Sequence, residues 1–324
     1  MNKLFCSYQS KRTRTQTSNR MQQQTVPSTA TFSLSESNAK VKELISKETP
    51  FFIARLSDIE TKVALKIAKN APLLQRDVQV VQNNAGIYIS ELKDLQLYSQ
   101  IYNNAVASAT ALACFPALYT QEQNYWLKEK GMEKGLFSRV LEPFYVLEEG
   151  EQPWTHLLSK KRILIVSPFA KSFSKQIEAG FIFDNEKDAS RQIFDSTQQQ
   201  QQQFVIYKAY NTQAGNHPHK NWFETFAIMC KEIKELNEKQ PFDIALLSCG
   251  GYGLPLSNYI FKTLKKSAVY VGGGLQLLFG VNGKRWTNHP IISRVSNLPN
   301  NKWIRPSEDE IPQNSTSIEG GCYW

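Results

Sequence analysis

Phe242-Asp243-Ile244-Ala245-Leu246-Leu247-Ser248-Cys249-Gly250-Gly251-Tyr252-Gly253-Leu254-Pro255 decides the fold class of this 324-residue chain. Its apolar middle suits a strand covered on both faces of a parallel sheet. Glycines then turn the chain, a helix is expected from about Pro255 to Lys265, and Ser267-Ala268-Val269-Tyr270-Val271 reads as the next strand. Strand, helix and strand at this spacing make a right-handed βαβ unit, so the class is α/β, with a mostly parallel Rossmann-like sheet and flanking helices.

Other segments extend the pattern. Arg162-Ile163-Leu164-Ile165-Val166 is a second buried strand, and Pro50 to Leu56 is a third that leads into a helix over Glu60–Ala71. Apolar residues at helical spacing predict helices over Leu92–Phe115 and Trp222–Leu236. Residues 1–40 are Ser-, Thr-, Gln- and Arg-rich, too polar to offset their ordering entropy, and are expected to be a disordered tail before one domain over 41–324. The glutamines at 198–203 read as a surface-loop insertion.

The net charge of +9 is partly a property of the tail. Lys3, Lys11, Arg12, Arg14 and Arg20 precede the first acid, Glu36; without those five, 33 basic face 29 acidic residues. So even a balance argues against a nucleic-acid partner. The apolar-looking stretch Ala105–Tyr119 is too short and too weakly apolar for a transmembrane segment. Five scattered cysteines without a CxxC pair suggest reduced thiols and a cytoplasmic setting. The acid-free N-terminus also has the composition of an organellar import signal.

Four places have residues suited to chemistry. In Arg55-Leu56-Ser57-Asp58-Ile59-Glu60, Asp58 and Glu60 offer two hard oxygen ligands for Mg²⁺ or Mn²⁺. Ser57-x-x-Glu60 is equally a helix capping box, and the two roles are compatible. Gly250, Gly251, Tyr252 and Gly253 form a strand-to-helix turn that would let a ligand approach the backbone, or would merely pack tightly. The spacing is not that of a dinucleotide fingerprint. Gly272, Gly273 and Gly274 end the strand at Val271, with Gln276 just beyond; Lys284, Arg285 and Trp286 could clamp a phosphate and stack a ring, or form a basic turn beside a core Trp. Glu224, opening a helix after Asn221, is a candidate general base, although acids in a first turn also answer the helix dipole.

Taken in order, several blocks resemble the bacterial and viral GT-D fold-like family, akin to metal-dependent glycosyltransferases of the GT-D class. They are Arg55–Glu60, Asn84–Ile87, Glu142–Tyr145 with Pro153-Trp154, Lys161–Phe169 with Lys175-Gln176, Trp222–Glu224, Phe242–Leu256, Val271–Trp286 and Glu319–Trp324. The resemblance implies that an Asp-x-Glu pair, matched by Asp58 and Glu60, binds the ion that holds a sugar-nucleotide diphosphate. One position departs from it: Ser167 stands before Pro168-Phe169 where relatives often carry His.

The expected function is therefore metal-assisted transfer of a sugar from a nucleotide-diphospho sugar donor to a glycan or other hydroxyl acceptor. Mn²⁺ or Mg²⁺ would be the cofactor, Arg55, Lys284 and Arg285 would face the phosphates, and the glycine turns would admit the donor. The alternative is a non-catalytic nucleotide- or sugar-binding protein that keeps the fold, which Ser167 favours. A third possibility is a scaffold whose basic tail binds acidic partners.

Overall fold

A computed structural model describes residues 28–181, 192–195, 203–287, 289–290, 292 and 302–324. Among these, seven strands form one sheet, ordered β3-β2-β1-β7-β6-β4-β5, with every neighbouring pair parallel. The strands are β1 (Phe52–Arg55), β2 (Ala111–Cys114), β3 (Leu136–Phe137), β4 (Arg162–Ser167), β5 (Gln203–Lys208), β6 (Ile244–Leu247) and β7 (Ser267–Tyr270). The α/β class and parallel sheet are as expected.

The strand pleat sorts each apolar run between two cores. Leu164 and Val166 of β4, Ala245 and Leu247 of β6 and Phe52 and Ala54 of β1 face one side. Ile163, Ile165, Ile244, Leu246 and Ile53 face the other. Helices α2 (Ile59–Ala68), α3 (Gln75–Ala85), α4 (Leu92–Ser108), α5 (Thr120–Glu129), α8 (Trp222–Lys239) and α9 (Gly253–Lys262) supply the first core. The second is closed by α1 (Leu34–Ser46), α6 (Phe144–Glu148), α7 (Ala170–Glu178) and α10 (Leu275–Leu278). Residues Ile163 to Val166 are wholly buried, each side chain contributing about 1.5–3 kcal/mol of burial as an upper bound.

Two expectations change. The helix predicted over Leu92–Phe115 stops at Ser108, Ala109 turns extended, and Ala111–Cys114 becomes β2 beside β1. Small residues carry no strong local preference, and the pairing of Ile53 with Ala111 and Arg55 with Ala113 decides them. The expected tail also ends earlier. Ser33 and Glu36 make a capping box for α1, whose Leu34, Val41 and Ile45 are buried. Residues 1–27 of that tail, and 198–202 of the glutamine run, lie outside the described residues, while Gln203 opens β5.

Strand order places the site. The chain runs outward from β1 through β2 to β3, and from β4 through β6 and β7 back to β1. The carboxyl ends of β1 and β7 therefore lie side by side, where open α/β sheets leave a crevice. No helix among the described residues is long and apolar enough to cross a membrane.

Candidate active site

A cavity of about 230 Å³ opens at that edge. Its walls include Arg55, Asp58 and Glu60 from the β1 exit, Gly250 and Tyr252 after β6, Gly272 and Gly273 after β7, and Arg285. A larger hollow of about 550 Å³ lies at the amino ends of β2 and β3 under α1, away from every predicted site residue.

The β1 exit turns into α2 without a side-chain cap. Asp58 holds the N-cap position in helical geometry and makes no capping bond. The Ser57 hydroxyl instead donates to the Glu60 carboxylate at 2.6 Å, so the expected capping box is absent. Glu60 is 6% exposed, and burial raises its pKa against the opposing hydrogen bonds and the Arg55 charge. Asp58 pairs through its Oδ1 with the Lys62 ammonium one turn along α2. Both carboxylates line one cavity and offer hard oxygens of the kind Mn²⁺ or Mg²⁺ takes, but Asp58 is already held by Lys62 and Glu60 by Ser57, so a cation would have to displace the ammonium. Among the described residues no group of three or more His, Cys, Asp or Glu is placed to hold a metal ion.

Arg55 crosses from β1 to the β7 exit. A Cβ added to Gly272, whose φ is +75°, would lie 2.7 Å from Arg55 Nη1. The left-handed glycine thus makes room for the guanidinium, which also lies 5.0 Å from the Phe115 ring centroid. Among the described residues Arg55 has no ion-pair partner. Arg285 is paired with Glu319 and lies over the Tyr323 ring at 4.7 Å. Burial lowers its pKa, but Tyr323, Cys322 and Glu319 outweigh that effect, and the net shift is upward. The Tyr323 phenol is itself pushed up to about 12, chiefly by burial.

The remaining predicted residues are used by the protein itself. A Cβ at Gly251 would collide with Ile87, one at Gly253 with the Tyr270 ring, and one at Gly274 would come within 2.7 Å of Glu142. A Cβ at Gly273 would come within 2.6 Å of the Tyr323 ring. Tyr252 stacks on Trp222 with centroids 5.0 Å apart and accepts from the Thr212 hydroxyl at 3.2 Å. Gln276 is buried and donates to the carbonyls of Val281 and Tyr323, both at 3.2 Å. Lys284 is exposed and Trp286 buried, and neither lines the cavity.

Glu224 is also outside the cavity. It is exposed and accepts from the Lys220 backbone N–H at 2.8 Å, while its own N–H donates to Asn221 at 2.9 Å. That is helix-end chemistry, and it removes the ground for a general base. Ser167 is buried and accepts from the Phe169 N–H at 3.2 Å, leaving Pro168 and Phe169 on the cavity wall.

Sequence reasoning missed Phe115, Tyr119, Glu319 and Tyr323 on the cavity wall. The last two lie in the Glu319–Trp324 block of the resemblance, which was a usable signal. Nothing local marks Phe115 or Tyr119, which reach the cavity only because β2 pairs with β1.

No family model matches the chain, and no curated protein does. Among solved structures it is similar to a protein described as a new glycosyltransferase (DUF1792) from Streptococcus sanguinis. The TM-score is 0.42 at 12% identity, covering 90% of this chain and 94% of that chain. At that distance the likeness says nothing of chemistry.

Proposed function

We propose that the chain transfers a sugar from a nucleotide-diphospho sugar to a hydroxyl acceptor in the cavity at the exits of β1, β6 and β7. One observation carries this reading: Asp58 and Glu60 share a cavity with two arginines and with the glycine-bearing turns from the far end of the chain. Asp58 and Glu60 would hold Mn²⁺ or Mg²⁺, which when bound would neutralise the diphosphate leaving group. Arg55, held between Phe115 and Gly272, supplies a fixed positive charge for the same phosphates. Arg285 adds a second when a phosphate replaces Glu319 as its partner. The bond from the anomeric carbon to the diphosphate oxygen breaks as that carbon bonds to the acceptor oxygen, the diphosphate leaves with the bonding electron pair, and the acceptor's hydroxyl proton is released to water. Glu224, outside the cavity, is assigned no part.

A second reading, a nucleotide- or sugar-binding protein without turnover, is favoured by a separate observation. The three carboxylates lining the cavity among the described residues are all engaged: Asp58 by Lys62, Glu60 by Ser57 and Glu319 by Arg285. Thermal unfolding with uridine or guanosine diphosphate, with and without Mn²⁺, separates the readings. Stabilisation that requires Mn²⁺ and disappears in Asp58→Asn/Glu60→Gln, together with metal-dependent hydrolysis of a nucleotide sugar, is expected of a transferase. Stabilisation without metal and no turnover favours the binding protein. No stabilisation by either nucleotide ends the transferase reading and leaves only sugar binding of the second.

A further inference from the structure

The turn between β2 and α5 brings two aromatic side chains to the cavity beside the carboxylates. Phe115 and Tyr119 meet edge to face, with ring centroids 5.9 Å apart at 85°. Tyr119 has φ +54°, a backbone conformation disfavoured for any residue with a Cβ. Such an outlier persists only where its surroundings hold it.

Gln123 is what holds it. Wholly buried on α5, its Oε1 accepts from the Phe115 N–H at 2.7 Å. Its Nε2 donates to the carbonyls of Phe115 at 2.8 Å and Leu118 at 2.6 Å. The same Nε2 also reaches the Thr29 hydroxyl at 3.2 Å. A buried amide bonded on both its atoms to the backbone of one turn sets that turn before any ligand arrives, which lowers the entropy lost on binding.

Arg55 brings charge to the same wall, 5.0 Å from the Phe115 centroid. The Lys62 ammonium lies 5.2 Å from the Tyr119 centroid, outside the cavity lining and paired with Asp58. The Tyr119 hydroxyl has no hydrogen-bond partner among the described residues. Rings answer a planar π surface, and cations answer negative charge. A nucleoside diphosphate carries both, whereas inorganic pyrophosphate carries only the charge.

We propose that the Phe115–Tyr119 turn is the base-recognition wall of this cavity. Tyr119 stacks the nucleobase of a nucleoside diphosphate, Arg55 faces its phosphates, and Gln123 is the positioning residue. The inference rests on the nucleotide reading of the same cavity.

Calorimetric titration of the full chain with uridine diphosphate, guanosine diphosphate and inorganic pyrophosphate, at fixed Mn²⁺, tests it. Two variants isolate the ring. Tyr119→Asn removes it, and Asn tolerates the left-handed backbone, so no strain is added. Tyr119→Phe keeps the ring and loses the hydroxyl. The wild type is expected to bind one of the two nucleotides about tenfold or more tightly than pyrophosphate. Tyr119→Asn erases that margin with pyrophosphate affinity unchanged, and Tyr119→Phe keeps it. Gln123→Met erases the same margin, and in a chain already carrying Tyr119→Asn it changes nothing further. A margin that survives Tyr119→Asn, is lost in Tyr119→Phe, or falls in parallel with pyrophosphate binding overturns the base wall alone. Binding of none of the three by the wild type overturns the nucleotide reading beneath it.

Discussion

At the β1 exit, side chains face the cavity: Arg55, Asp58 and Glu60 present charge to it. At the β6 and β7 exits the backbone comes to the edge, and most of the space beside its glycines is already filled. Ile87 sits against Gly251, Tyr270 against Gly253, Arg55 against Gly272 and Tyr323 against Gly273. A glycine-rich turn at a sheet edge is thus not by itself an opening for ligand. Here the missing Cβ atoms mainly admit the protein's own rings and one guanidinium, and the glycine wall serves the charged wall by giving Arg55 its place.

Substitutions that treat the two walls differently test this division. The largest effect is expected from Gly253→Ala, whose Cβ would meet the buried Tyr270 ring, itself tied by its hydroxyl to the Gly250 carbonyl at 3.1 Å. Overpacking there should cost about 2–3 kcal/mol of stability, read from the urea midpoint. An unmoved midpoint would mean the glycine wall has slack and its contrast with the β1 exit dissolves.

A smaller effect belongs to the charged wall. Glu319→Gln removes the partner of Arg285 and should leave the fold intact while tightening pyrophosphate binding by about two- to fivefold. Weaker binding in a titration would make Glu319 a ligand-holding group rather than a competitor. The smallest effect lies outside both walls. Glu224→Gln should lower stability by about 0.5 kcal/mol through the helix terminus and leave transfer unchanged. A rate loss of about a hundredfold or more would return Glu224 to the chemistry.

Legibility in the sequence followed the strength of local signals. The strand over Ile163–Val166 and the βαβ unit from Ile244 to Tyr270 were readable because continuous β-branched and leucine runs have few other homes. The end of α4 and the start of β2 were not, since Ala105–Cys114 is small and apolar in either state. Asp58 and Glu60 were findable from their spacing and the polar break after an apolar strand. Tyr119 was not, because nothing local marks its left-handed backbone, and it reaches the cavity only through the pairing of β2 with β1.

Composition and periodicity by themselves determined the α/β class, the buried strands and the acidic pair at the first exit, since burial on two faces and local charge are written residue by residue. Only the tertiary structure decided that β1 lies between β2 and β7, and hence which rings, glycines and arginines share a cavity with that pair. Strand order is a property of the whole packed sheet, and no segment carries it alone.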